Sequence, residues 1–417
     1  MSISKFATVK DTKQDAVPNG WMQHSTYQAQ RYMPALDGLR GIAVALVITC
    51  HLHERMWNFL SGSVGVTIFF VLSGYLITRL ALQEETNTGR LNVAAFYIRR
   101  TFRIFPLYYL ILAVYAMLIL RFQFWPAKIA PFRSNLPYFL IYLQEIPFWT
   151  VGSTPYSEIP FFHSWSLGIE EKFYLAWPVL MVGIARSRRD FRLVIVTIAA
   201  LLCVIQGIVP VGRSTYHMEA YGFILFGVAL ALFLSNFNYY RMFVRMGKVA
   251  STVAFMIALI TEFYLMPQTH LRGLSTLYAL AMTVLIGALV SSFSIAGRIL
   301  SNRGLILAGK LSYGIYLIHI LCISAVEHIA KPGHGLVVGV LAYVGAFFLS
   351  MGVAYISHRS FEKPMIEMGR RLSDAFKRVS AIEANRVPNS YTQPGRKSPL
   401  LTGQAMAATR LIDQRPD

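Results

Sequence analysis

Leu36-Asp37-Gly38-Leu39-Arg40-Gly41 opens an apolar run that continues to His51. After a short polar bend a second run follows, Gly65-Val66-Thr67-Ile68-Phe69-Phe70-Val71-Leu72-Ser73-Gly74-Tyr75. Eleven helical steps of 100° make three turns plus about 20°, so Arg40 and His51 share a face and lie about 16 Å apart along the axis. That is roughly half a bilayer core. Ionisable groups are costly in hydrocarbon, which makes a histidine inside a span a functional candidate. Arg40 alone also suits the cytoplasmic end of a span, with His51 reaching the far interface. The pairing on one face favours a functional reading.

Composition agrees with a membrane chain. Its 417 residues are 55% hydrophobic and only 14% charged, with a mean hydropathy of +0.48, a balance foreign to soluble domains. A formal net charge of +19 would point a soluble protein toward nucleic acid. Here the basic residues stand between apolar runs and at both ends, so the positive-inside rule explains them and no nucleic-acid partner is expected. The first 35 residues lack an apolar core, and no cleavable signal peptide is expected. Cys50, Cys203 and Cys322 lie within apolar runs and read as packing residues, with neither a disulfide framework nor a metal site.

Apolar spans fall near 38–54, 64–82, 106–122, 162–184, 193–211, 220–236, 249–266, 273–293, 311–330 and 335–358. A shorter stretch, 136–149, is broken by Gln144 and Glu145 and reads as re-entrant or interfacial. With that stretch not crossing, one set of loops collects Arg99, Arg100 and Arg103; Arg186, Arg188, Arg189 and Arg192; Arg241, Arg245 and Lys248; and Arg298, Arg303 and Lys310. The other set holds only His53-Glu54-Arg55, Arg213, Arg272 and Lys331, with Lys128 and Arg133 in the long proline- and aromatic-rich loop 123–161. The expectation is an all-α membrane protein of about ten transmembrane helices with both termini cytoplasmic. Residues 1–35 read as a disordered cytoplasmic tail, 36–365 as the transmembrane domain, and 366–417 as a basic, mostly disordered cytoplasmic tail. Within that last tail, Arg370 to Arg378 reads as a basic helix on the inner leaflet.

Three polar groups punctuate the apolar pattern. Arg99 and Arg103, four apart, face one side of a helix and suit a phosphate, with Arg100 between them; inner-leaflet lipid is the alternative ligand. In the fourth span His163, Glu170, Tyr174 and Trp177 share a face, and Glu170 reaches about the depth of His51. A buried carboxylate there needs a histidine or arginine partner, although a Glu170–Arg or Glu171–Lys172 pair could serve packing alone. In the ninth span Ser312, Tyr316 and His319 form a polar stripe.

These features together resemble the acyltransferase-3 family of membrane proteins. The resemblance rests on Arg40 and His51 with Gly65, Phe69, Phe70, Ser73 and Gly74; on Arg99-Arg100 and Arg103 followed by Ile104-Phe105-Pro106-Leu107-Tyr108; and on the segment Trp165 to Pro178. Leu225 to Ala231, Ser312 to His319 and Glu362-Lys363-Pro364 extend it over residues 35–365. Small-residue packing explains Leu225–Ala231 without any chemistry and is the favoured reading of that stretch.

The resemblance implies a multi-pass O-acyltransferase of the bacterial inner membrane. It would take an acyl group, most commonly acetyl, from cytoplasmic acetyl-coenzyme A to a hydroxyl of a surface polysaccharide, lipopolysaccharide or exopolysaccharide, free or lipid-linked. His51 would serve as base or transient acyl carrier, with Glu170 orienting it and Arg40 holding the acyl donor or stabilising oxyanion charge. Arg99, Arg100, Arg103, Ser312, Tyr316 and His319 would bind the coenzyme; for His319 a satisfied buried histidine is the alternative. Acylation of a small hydroxyl compound such as a macrolide, succinyl transfer to a glucan and, more remotely, glycan or lipid transport are the competing readings.

Overall fold

The computed structural model describes residues 17–52, 57, 59–146, 159–184, 189–209, 216–269, 273–330 and 335–386. The readings placed on residues 1–16 and 387–417, on His53-Glu54-Arg55, and on Arg186, Arg188, Arg213, Arg272 and Lys331 lie outside the described residues.

The apolar runs fold as helices: α1 (His24–Ala29), α2 (Pro34–Thr49), α3 (Val64–Thr88), α4 (Val93–Ala116), α5 (Ile129–Leu140), α6 (Trp165–Ile184) and α7 (Arg189–Ile208). They continue with α8 (Tyr216–Ser235), α9 (Phe237–Ile260), α10 (Leu274–Ser291), α11 (Ile295–Leu300), α12 (Arg303–Ala330), α13 (Leu336–Ser357) and α14 (Lys363–Arg386). Wider π-turns follow α4 at Met117–Arg121, α9 at Thr261–Leu265 and α13 at His358–Glu362. Local sequence sets the boundaries. Gly89, at φ +74°, ends α3 in the left-handed region, and the Asn92 side chain caps α4 by accepting the Ala95 N–H at 2.9 Å.

Among the described residues eight helices are long and apolar enough to cross a membrane. The two remaining expected spans are helical but atypical. α2 has 16 residues, about 24 Å, slightly short of a hydrocarbon core. α6 has 20 residues but carries Glu170, Glu171 and Lys172. The stretch expected as re-entrant begins as α5, only 12 residues long, followed by a turn that buries its polar groups. There Gln144 donates to the Tyr108 hydroxyl at 2.6 Å, and Glu145 pairs with Lys172 at 2.7 Å.

Two sequence expectations need correction. The arginine-bearing stretch read as a loop before the third span is the first half of α4, which starts at Val93 and tolerates Pro106 in its interior. Residues 17–35 are not a loose tail. Trp21, Met22 and Tyr27 are buried, and Trp21 packs on Gly247 of α9. Arg79 of α3 donates to the carbonyls of Tyr27 (2.6 Å) and Gln30 (2.9 Å). The aromatic side chains bury enough apolar surface to order an otherwise polar segment.

Small residues decide which helices meet. α2 and α12 lie side by side: a Cβ at Gly41 would fall on the Leu305 carbonyl, and one at Gly309 on that of Asp37, while Gly38 meets the Leu300 carbonyl at the end of α11. Val44, Val47 and Ile48 then pack with Leu311, Ile315 and Ile318 in one apolar cluster. Gly74 and Gly227 make the same kind of contact between α3 and α8, each against the other helix's backbone, which gives the Leu225–Ala231 segment a packing role. Near its start α14 buries Gly369 against Phe102 and Ser373 beside the Ala95 carbonyl. From Asp374 the chain forms a second unit, described as helix to Arg386.

Candidate active site

A cavity of about 520 Å³ opens among α2, α3, α4, α6 and α12. Arg40 comes to it from α2, Ser73 from α3, Arg100 and Arg103 from α4, Glu170 and Tyr174 from α6, and Ser312 and Tyr316 from α12. Basic groups dominate the lining, with Arg31, Arg79 and Lys310 added to the three arginines, against Asp37, Glu170 and Glu362.

Glu170 is held by its own neighbours. Its carboxylate accepts from the Ser73 hydroxyl at 2.9 Å and the Tyr174 hydroxyl at 2.8 Å, within the electrostatic reach of Arg40 and Arg100. The Arg100 guanidinium lies 5.0 Å from the Tyr174 ring centroid. The carboxylate therefore fixes the wall on which the arginines stand. It does not touch His51, so the expected pairing of Glu170 with that histidine is replaced by one with Ser73 and Tyr174. Helical projection says nothing about which neighbour a side chain meets.

Arg99 also departs from expectation. It donates to Ser373 at 2.9 Å and pairs with Glu84 at 3.2 Å, and it does not line the cavity. The cavity-facing pair on α4 is Arg100 and Arg103, three apart, while Arg99 is turned 100° from Arg100 toward α3. Arg40, Arg100 and Arg103 form no hydrogen bond or ion pair with the described residues, which leaves their N–H groups for whatever enters the cavity.

Part of the cavity wall is buried, at Ser166, Ser312 and Tyr316. Ser312 is 1% exposed, and its hydroxyl has no hydrogen-bond partner among the described residues. The Tyr316 hydroxyl is joined to Ser166 Oγ at 2.8 Å and donates to the His163 carbonyl. Beyond this wall stand three histidines. The His51 and His319 rings lie 4.9 Å apart, and His163 lies 5.1 Å from His319.

Hydrogen-bond chemistry orders their protons. His319 Nδ1 is 2.6 Å from the Tyr316 carbonyl, which can only accept, so Nδ1 carries the proton and Nε2 is an acceptor. That Nε2 faces His51 Nδ1 at 3.3 Å, and His51 Nδ1 also lies 2.9 Å from the Val47 carbonyl. The Val47 carbonyl can only accept, which places the His51 proton on Nδ1, where Cys50 Sγ also lies 3.3 Å away, and makes Nε2 the unprotonated nitrogen of the neutral ring. His163 Nε2 lies 3.2 Å from the Leu317 carbonyl. With ring nitrogens committed to backbone carbonyls, the cluster is built for proton placement. Among the described residues no group of three or more His, Cys, Asp or Glu side chains is arranged to hold a metal ion.

The sequence thus named residues of both clusters but assembled them differently. Arg40, Glu170, Arg100, Arg103, Ser312 and Tyr316 share the cavity; His51 and His319 pair beyond it. Ser73 and Tyr174 were missed as partners of Glu170, although Ser73 stands in the quoted second run and Tyr174 one turn after the carboxylate.

The family of membrane acyltransferases described as "Acyltransferase domain" matches residues 33–359. The peptidoglycan O-acetyltransferase OatA of Listeria monocytogenes is 28% identical over 375 residues, covering 84% of this chain and 58% of that protein. YrhL of Bacillus subtilis, named as a candidate peptidoglycan O-acetyltransferase, is 31% identical over 379 residues, covering 84% of this chain and 57% of its own. A Staphylococcus aureus protein named as a candidate O-acetyltransferase is 29% identical over 369 residues, with coverages of 82% and 59%. The chain therefore spans less than two thirds of the length of these relatives. No solved structure matches.

Proposed function

This chain belongs to the acyltransferase-3 family, and we propose that it is a membrane O-acetyltransferase moving acetyl from acetyl-coenzyme A to a hydroxyl of a cell-surface glycan. The observation that carries the donor half is the trio of arginines, Arg40, Arg100 and Arg103, which line one cavity with no hydrogen bond or ion pair among the described residues. Coenzyme A is a polyanion, and guanidinium groups recognise phosphate in a bidentate way. The basic residues near one end of the helices support a cytoplasmic mouth for that cavity in the inner membrane. The names of OatA and YrhL favour a peptidoglycan hydroxyl as the acceptor.

The chemistry follows from the proton order of the histidines. The acceptor hydroxyl oxygen attacks the thioester carbonyl carbon while His51 Nε2 takes its proton. The carbon–sulfur bond then breaks, and the imidazolium returns the proton to the departing thiolate, leaving an ester and free coenzyme thiol. His319 holds the His51 ring, and Glu170 holds the wall carrying the arginines. A neutral imidazole suits this work near neutral pH.

The test is transfer by the purified chain in lipid, with labelled acetyl-coenzyme A and a panel of peptidoglycan fragments, other surface glycans and small hydroxyl compounds. Labelled ester on a glycan, with release of coenzyme thiol, is the expected result. Label confined to small hydroxyl compounds would displace the glycan reading. No thiol release with any acceptor would remove acetyl-coenzyme A as the donor.

A further inference from the structure

The cavity has two sides of different character. At the buried wall, Ser166, Ser312 and Tyr316 adjoin the histidines. At the mouth, Arg31, Tyr32 and Lys310 are exposed, Tyr32 at 52%. Two of these mouth residues come from the segment before α2, and both precede residue 33, where the family match begins. That segment is fastened in place. Arg79 and Gln83 of α3 together hold the carbonyls of Tyr27, Gln28 and Gln30, immediately before Arg31. The Tyr32 hydroxyl donates to Asp37 Oδ2 at 2.9 Å, which fixes the ring at the cavity edge, and the Lys310 ammonium lies 5.7 Å from the ring centroid.

We infer that the strap preceding α2 builds the nucleotide-end subsite of the acyl donor, with Tyr32 stacking on the base and Arg31 and Lys310 meeting the ribose phosphate. This rests on the acetyl-coenzyme A reading above and extends it. A thioester that reacts at the histidines must point its acyl end to the buried wall, so the nucleotide end lies at the mouth. Lys310 and His319 sit on the same helix, about 14 Å apart along its axis, a span for the coenzyme's flexible arm to bridge. An aromatic ring fixed at its hydroxyl offers a π-face for any base, and a guanidinium next to it fits a phosphate monoester.

The experiment compares acetyl-coenzyme A, its 3′-dephospho form and S-acetylpantetheine, which lacks the nucleotide, as acetyl donors for wild type, Tyr32→Ala and Arg31→Ala. The quantity read is the preference for acetyl-coenzyme A over S-acetylpantetheine, as a ratio of kcat/KM values. Because both donors are measured on the same preparation, a loss of folded protein cancels. Tyr32→Ala is expected to lower that preference about tenfold. Arg31→Ala is expected to lower the discrimination between acetyl-coenzyme A and its dephospho form several-fold. Preferences equal to wild type in both variants would overturn the subsite while leaving the donor reading intact. Wild type releasing no thiol from acetyl-coenzyme A would overturn both.

Discussion

Lys310 and His319 lie on one helix, yet the fold treats the polar groups around them in opposite ways. Around the cavity the cations Arg40, Arg100 and Arg103 have no hydrogen bond or ion pair among the described residues. In the histidine cluster His51 and His319 each have a ring nitrogen set against a backbone carbonyl, and His163 does the same. Open cations in a cavity await an anion, whereas a histidine with a fixed tautomer awaits a proton. Under the proposed function this difference separates binding from chemistry, and substitutions should separate them as well.

The largest effect is expected at His51. His51→Ala removes the proton acceptor and should lower kcat by about 10²- to 10⁴-fold while coenzyme A still binds. Loss of binding to the same degree would break the separation. Next come Arg100→Ala and Arg103→Ala, each removing a charge-assisted contact. Each should raise the KM for acetyl-coenzyme A about ten- to a hundredfold, and raised salt should weaken wild-type binding as well. His319→Phe keeps a ring against His51 but removes the nitrogen facing Nδ1. It should lower kcat about tenfold with little change in KM, the signature of a positioning residue. Smallest is Arg99→Ala, which breaks a partly exposed pair with Glu84 worth about 0–1 kcal/mol. Its KM should stay within about twofold of wild type, and a hundredfold rise would restore Arg99 to the donor site.

Much of this arrangement was legible in the sequence. The ten apolar runs became helices, and the two that fall short as membrane spans do so visibly: α2 is short, and α6 carries Glu170, Glu171 and Lys172. Periodicity placed Ser312, Tyr316 and His319 on one face of α12, and all three point toward the site. Periodicity cannot say which helices touch. His51 meets His319 because Gly41 and Gly309 let α2 and α12 approach backbone to backbone, and that choice is made by steric fit between distant segments. The same limit explains Arg99. A projection of α4 allows either the 99/103 or the 100/103 pair to face a ligand, and Glu84 on α3 decides between them. Residues 17–35 were misread because their polarity outweighed three buried side chains, Trp21, Met22 and Tyr27, in a segment too short to show a period.

The most direct measurement is equilibrium binding of coenzyme A to the purified chain in lipid nanodiscs, for wild type, His51→Ala and the Arg100→Ala/Arg103→Ala double variant, each also assayed for acetyl transfer. His51→Ala is expected to bind within a few-fold of wild type and transfer almost nothing, while the double variant loses at least about a hundredfold in affinity. Wild-type affinity in the double variant, or affinity lost together with activity in His51→Ala, would contradict the division of the molecule into a cavity that binds and a histidine cluster that reacts.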